Sequence, residues 1–377
     1  MTLHGKLAAS LYLCYGACCL GGCSGRIVDL DHPAPGSDSR SGSAFAPGSG
    51  SASTSTPTSG GGTSSAPSQL PLGEIGGVWV DDQRLYWSTY GTLDHPAPTN
   101  GAAYSKSYHS CLKFDCEHTT VTYEFDGGDN LVLDEQRVYW TRCAQIVSCP
   151  IEGCTGPSMM ITEDPALFGF SIAAKGGYVY WSSDLDLLRC PASGCAGPPS
   201  VFAKATVTRL VVFDGARVYW QANKGIFSGP SDGSSPPELV TARSTAGSLK
   251  GIVNESETEG LAIGGGYLYW ATARQVFRCP VANCSASEPT VLATATDDIH
   301  NLKIDDVAMY WMEANTIRSC PLSGCQQSRA LTPQQVTPLN GQDEGARYAV
   351  DASDLYWIES TDAPRAPMTG VLRKTAK

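Results

Sequence analysis

Two histidines bracket two cysteines in His109-x-Cys111-x4-Cys116-x-His118. Thiolate and imidazole are ligands that zinc accepts, so the quartet could hold that metal. The competing reading is a disulfide between Cys111 and Cys116 beside two exposed loop histidines. Four further pairs share the spacing and have no histidine next to them: Cys149/Cys154, Cys190/Cys195, Cys279/Cys284 and Cys320/Cys325. An oxidised cysteine offers no thiolate to a metal. The disulfide reading is preferred, and no metal site is assigned.

Gly229-Pro230-Ser231-Asp232-Gly233 matches the G-x-S-x-G nucleophile pattern. That chemistry needs a strand-to-helix elbow, and this stretch reads as a hairpin turn. No catalytic residue is assigned. Acids gather in the connections between repeats: Asp126 and Asp129, Glu163 and Asp164, Glu255, Glu257 and Glu259, Asp297 and Asp298, Asp343 and Glu344. Carboxylates brought together could bind Ca²⁺ through oxygen, and solvated loop tips are the plainer reading. No cofactor is expected beyond that possible Ca²⁺. Counting along the repeats puts Asp129, Asn130, Ser171, Arg209, Asn301 and Tyr348 near the mouth of a central channel. Of these, Asp129, Asn130, Arg209, Asn301 and Tyr348 are the candidate ligand-binding set. There is no Walker loop, HExxH helix or EF-hand loop.

The elements that position these groups come from a repeat. Four cysteine pairs read CPIEGC, CPASGC, CPVANC and CPLSGC. Proline followed by small residues is turn chemistry. The two cysteines are expected to face each other across a strand ladder, where the Cα separation suits a disulfide. Gly229 and Ser234 stand at both cysteine places of the fourth repeat. Ala366 and Val371 are matched to them in the seventh. Joint absence is what a bonded pair predicts. Loops this short give each disulfide about 2 kcal/mol. Five of them imply an oxidising compartment. Cys143 is left over, either as a free thiol or as a competitor for Cys149.

Tyr-Trp recurs at Tyr86-Trp87, Tyr139-Trp140, Tyr180-Trp181, Tyr219-Trp220, Tyr269-Trp270, Tyr310-Trp311 and Tyr356-Trp357. The spacing is that of a propeller blade. In the fifth repeat, 260–266, 267–273, 275–280 and 289–295 read as four strands with short turns. Adjacent residues of a strand point to opposite faces. Two large aromatics in succession therefore require both faces to be covered, as they are between neighbouring blades. The expected fold is all-β, a seven-bladed β-propeller of four-stranded antiparallel blades. Trp87, Trp140, Trp181, Trp220, Trp270, Trp311 and Trp357 form its blade core. The repeats resemble the YWTD class of propeller found in low-density-lipoprotein-receptor-type ectodomains and in bacterial exported proteins. The Asp of that motif is absent after every Tyr-Trp, and there are seven copies where the receptor type has six. The resemblance implies shape and no particular ligand. Residues just after the tether described next are a candidate strand to complete the last blade.

The chain divides into 1–23, 24–70 and 71–377. A short basic start and an apolar stretch over 7–20 read as a signal peptide. It ends in Leu20-Gly21-Gly22-Cys23, which resembles the bacterial lipobox. That resemblance implies a lipid on Cys23 and, with Ser24 next, sorting to the outer membrane. Residues 24–70 are rich in Ser, Gly, Pro and Thr, and read as a disordered tether ahead of the propeller. A net charge of −11 disfavours nucleic acid. The expectation is an exported protein at the outer membrane, facing the periplasm or the cell surface. It would bind or scaffold a protein, peptide or glycan. The alternative is a metal-dependent propeller enzyme, lactonase-like or lyase-like, with a channel site. Two inserts, 92–108 and 244–259, offer further binding surface.

Overall fold

The computed structural model describes residues 74–90, 106–123, 131–142, 144–154, 156–164, 172–183, 186–204, 210–222, 225–242, 260–272, 274–332, 348–360 and 370–377. The signal peptide, Cys23, the tether and Cys143 lie outside them. The described residues form seven antiparallel sheets whose strands pair in chain order. Six sheets have four strands and the seventh has three. Blade 5 shows the unit, with strands Leu261–Gly264, Tyr267–Ala271, Gln275–Pro280 and Thr290–Thr294. A 3-10 helix, Val281–Ala286, follows its third strand. Blade 7 consists of Tyr348–Val350, Asp354–Ser360 and Gly370–Ala376. Of the residues after the tether, Glu74–Val80 pair with the second strand of blade 1 and not with blade 7, and no fourth strand of blade 7 lies among the described residues.

The core is divided among the junctions between blades. Each Tyr-Trp pair sends its tyrosine towards the next blade and its tryptophan towards the previous one, as strand alternation requires. Tyr86 shares a cluster with Trp140, Tyr139 with Trp181, and Tyr180 with Trp220. Tyr219 then meets Trp270, Tyr269 meets Trp311, and Tyr310 meets Trp357. The last cluster joins Tyr356 of blade 7 to Trp87 of blade 1 and closes the ring. All seven indoles are buried, Trp357 the least at 9% exposure. Burying side chains of this size contributes roughly 2–3 kcal/mol each.

The turn between the first two strands comes in two main forms. In blades 1, 2, 6 and 7 it begins with an aspartate: Asp81, Asp134, Asp305 and Asp351. One carboxylate oxygen accepts the backbone N–H groups two and three residues on. The other accepts the hydroxyl of the Tyr-Trp tyrosine, for example Tyr139 Oη to Asp134 Oδ2 at 2.7 Å. Blades 3 and 5 use Gly176-Gly177 and Gly265-Gly266, all at positive φ, as a tight hairpin of this twist demands.

All five cysteine pairs are disulfides, with Cα separations of 4.8 to 5.8 Å. The expectation that the two cysteines face each other across a ladder is corrected. The first cysteine stands at the end of the third strand, with its strand partner on the second: Val138 opposite Cys149, Val179 opposite Cys190, Leu268 opposite Cys279. The second cysteine lies beyond that strand and belongs to no ladder. Cys116, Cys154, Cys195 and Cys325 sit in the turn that follows, and Cys284 sits inside the 3-10 helix.

Cys154 and Cys284 show why. The strand of Cys149 ends at Pro150, whose carbonyl accepts the Gly153 N–H at 3.0 Å. That bond turns the chain back, with Gly153 at φ 116, and Cys154 meets Cys149 from an exposed turn at a Cα separation of 5.3 Å. The strand of Cys279 ends at Pro280, and the helix that begins at Val281 carries Cys284 back to it at 5.2 Å. Cys284, unlike Cys154, is buried, in the junction between blades 4 and 5. Each bond thus ties a strand end to its own loop. Val218 opposite Gly229 bears out the match in blade 4. The match to Ala366 and Val371 is corrected by the register. Leu355 stands opposite Thr375, so Thr375 occupies the cysteine place of blade 7.

These loops grip the preceding blade. Cys195 N–H donates to Ile161 O at 2.9 Å and Cys325 N–H to Leu292 O at 3.1 Å. The carbonyl after the loop proline accepts in return. Tyr123 Oη reaches Ile151 O at 2.5 Å, Arg278 reaches Leu322 O at 2.6 Å, and Arg189 reaches Ser231 O. At the seam the same loop place holds a lysine. Lys113 of blade 1 pairs with Asp351 of blade 7, and Lys377 of blade 7 with Asp305 of blade 6.

Candidate functional site

Of the five candidate ligand-binding residues, the structure brings two together. Asp129, Asn130 and Arg209 lie outside the described residues, as does Ser171. Tyr348, on the first strand of blade 7, is fully buried and donates its hydroxyl to Asn301 O at 2.5 Å. Asn301 lies on the first strand of blade 6, Ile299–Ile304, at φ 54. The strand register shifts between His300 and Lys303, so the strand carries a β-bulge there. Bulges re-aim the side chains beside them, and left-handed backbone at a non-glycine residue is strained.

Lys303 follows the bulge, and the sequence reading missed it. Its ammonium lies 5.6 Å from the centre of the Tyr348 ring, a cation–π distance. Burial lowers the amine to about 8. Burial also pushes the Tyr348 hydroxyl well above the usual tyrosine range, so it stays a neutral donor. Among the described residues Lys303 forms no ion pair. A signal was available. Lys303 stands seven residues before Tyr310, and the same place in the other repeats holds Trp79, Val132, Ala173, Val212, Ala262 and Ala349.

The histidine-cysteine quartet is a structural cluster. Cys111 and Cys116 are bonded to each other. His109 is buried on the third strand of blade 1, not exposed in a loop. Its Nε2 lies 2.9 Å from Thr89 Oγ1 and its Nδ1 3.0 Å from Thr122 Oγ1. It stacks on Trp87 at 5.3 Å, and burial lowers it to about 4. His118 is exposed and pairs with Asp115 at 2.7 Å. Ser231 of the G-x-S-x-G stretch lies in a turn, and its carbonyl accepts from Tyr180 Oη as well as from Arg189.

Asp164 and Asp298, among the described acids of the connections, have local partners. Asp164 accepts from Trp181 Nε1 at 3.0 Å, and Asp298 lies 3.6 Å from Arg274. Glu313 is buried, and it accepts from Thr296 and Trp311 and pairs with Arg318 at 3.1 Å. Its burial raises the carboxyl, but these partners outweigh that and hold it below the usual range. Among the described residues no three His, Cys, Asp or Glu side chains form a metal-holding group.

No protein-family model and no curated protein matches the chain. Solved structures do. A catalytically inactive virginiamycin B lyase from Staphylococcus aureus, with quinupristin, gives a TM-score of 0.51 at 12% identity, covering 79% of this chain and 95% of that one. The AfRom2 CNH domain gives 0.50 at 9% identity, over 81% and 94%. The WD40 β-propeller domain of Doa1 gives 0.50 at 10% identity, over 82% and 95%. Such identities establish the ring of blades and nothing of the activity.

Proposed function

We propose that the chain is an exported, lipid-anchored β-propeller that binds or scaffolds a protein, peptide or glycan at the cell envelope. Five disulfides at one repeated place carry the reading, because reducing compartments do not sustain such bonds. The signal-type start, the Leu-Gly-Gly-Cys stretch and the polar segment after it support a lipid on Cys23 with a tether beyond. The Tyr-Trp repeats support kinship with the YWTD class. The disulfide loops and aspartate turns share one end of the ring by strand connectivity. The C-terminal ends of the strands Arg84–Tyr90 and Glu238–Ala242 lie at the opposite end by the same connectivity, and that end is the proposed binding face.

Mass spectrometry of the mature N-terminus tests the anchor. A diacylglyceryl group on Cys23, with loss of the membrane fraction in Cys23→Ala, is the expected result. An unmodified start downstream of Cys23 would overturn it.

A further inference from the structure

We propose that Lys303 anchors a small anion site at the inner edge of the junction between blades 6 and 7, and that its ligand carries a single carboxylate. The proposal rests on reading the propeller as a binding module, and not on where the protein is anchored.

The register carries the argument. On the first strand of every blade one residue stands opposite the Tyr-Trp tyrosine. It is Trp79, Val132, Ala173, Val212, Ala262 and Ala349 in six blades, and Lys303 in the other. Six blades obey the apolar rule of a junction and one breaks it with a charge. The residue opposite the tryptophan departs at the same junction. It is Val78, Ile172, Val211 and Leu261 in blades 1, 3, 4 and 5, but Tyr348 in blade 7. The bulge at Asn301 lies between the two departures.

An ammonium withdrawn from water with no counter-charge among the described residues is costly, and fold stability alone would replace it with an apolar residue of similar length. Violations of local rules concentrate at functional sites. Lys303 is partly exposed as a residue, but its amine is the buried part. The Tyr348 ring holds the cation, and the Tyr348 hydroxyl is already committed to Asn301 O. The Asn301 side-chain amide has no partner among the described residues and could donate beside the ammonium. One cation neutralises one negative charge. A dianion would leave an uncompensated charge at a poorly solvated place, which favours a monocarboxylate over phosphate.

The test uses the purified full chain, with benzoate as probe, neutral benzamide as its control and inorganic phosphate as the dianion. Benzoate should raise Tm by about 2–4 °C, and benzamide should not. Lys303→Met should melt at or above the wild-type temperature and lose the benzoate response. A benzoate shift that persists in Lys303→Met, or none in the wild type, would overturn the site. A larger shift with phosphate would overturn the monocarboxylate assignment. Should the variant not fold, amine labelling of the native wild type with trinitrobenzenesulfonate and peptide mapping decides. Benzoate should slow modification of Lys303 and leave exposed Lys175 unchanged, and equal rates at both would sink the proposal. A mature protein without lipid would end the anchor and leave these responses standing. A lipidated protein without them would end the site alone.

Discussion

Lys113 Nζ of blade 1 lies 2.7 Å from Asp351 Oδ2 of blade 7 and also donates to Asp81 O at 2.9 Å. This lysine spans the joint between the last and first repeats, as Lys377 does between blades 7 and 6, where blades 2, 4 and 6 present a loop carbonyl. Burial raises the Asp351 carboxyl, but Lys113 and the N–H groups of Ser353 and Asp354 outweigh it and hold the group far below the usual carboxylate range. A depressed folded value stabilises above the unfolded value and is lost as pH falls below it. Lys113→Met should therefore cost about 1–3 kcal/mol at neutral pH, and less in strong acid. Urea melts of both proteins across pH check the difference.

Each disulfide closes a loop that also holds its neighbour. Replacing Cys190 and Cys195 together with serine should cost about 2 kcal/mol in the chain-entropy model. Gly229 and Ser234 show that the loop can form without the bond, so the variant should fold and melt lower. Calorimetry of the oxidised proteins measures the loss.

His109 is held neutral by burial, with a folded value near 4 against 6.5 in the unfolded chain. Between those values the unfolded chain takes up a proton that the folded one does not. Stability should fall through that window as pH drops, by up to roughly 3 kcal/mol from this residue. His109→Gln, whose amide can serve both threonines, should flatten the pH dependence between 6.5 and 4 in denaturant titrations.

Two glycines at positive φ should respond differently to alanine. At Gly260, φ 112, a Cβ would lie 2.4 Å from Leu302 Cβ and 2.5 Å from its backbone nitrogen. At Gly265, φ 58, no atom lies within 4 Å. Gly265→Ala should cost about 1–2 kcal/mol from backbone strain alone, and Gly260→Ala above about 3 kcal/mol. Thermal melts of the two variants rank them.

The ring was legible because its signal is written seven times. A pair of adjacent aromatics with no polar member demands two covered faces, and Tyr139 and Trp140 meet opposite neighbours as that logic requires. Cysteine spacing disclosed the bonds but not their geometry, since a bond from a strand end to its own loop has the same spacing as one across a ladder. Cys154 in its turn and Cys284 in its short helix reach their partners by different local paths, which spacing alone does not separate. The error at Ala366 has a related cause. Blade 7 has no cysteine to set its register, and a turn-like Ala-Pro-Met-Thr-Gly run imitates the missing loop. Lys303 escaped notice because a lysine in a strand is ordinary. Only alignment of the repeats through their tyrosines exposes it as the odd member, and the aspartates that cap Tyr86, Tyr139, Tyr310 and Tyr356 needed the same alignment.

The placement of a repeat indole in every junction makes the molecule its own spectroscopic gauge. Trp87 reports on the joint between the first and last blades, and Trp357 on the one before it. A protein carrying phenylalanine at Trp79 and at the other five repeat tryptophans would emit chiefly from that sector. Its fluorescence during acidification would show whether the circle parts there before the remaining blades come undone.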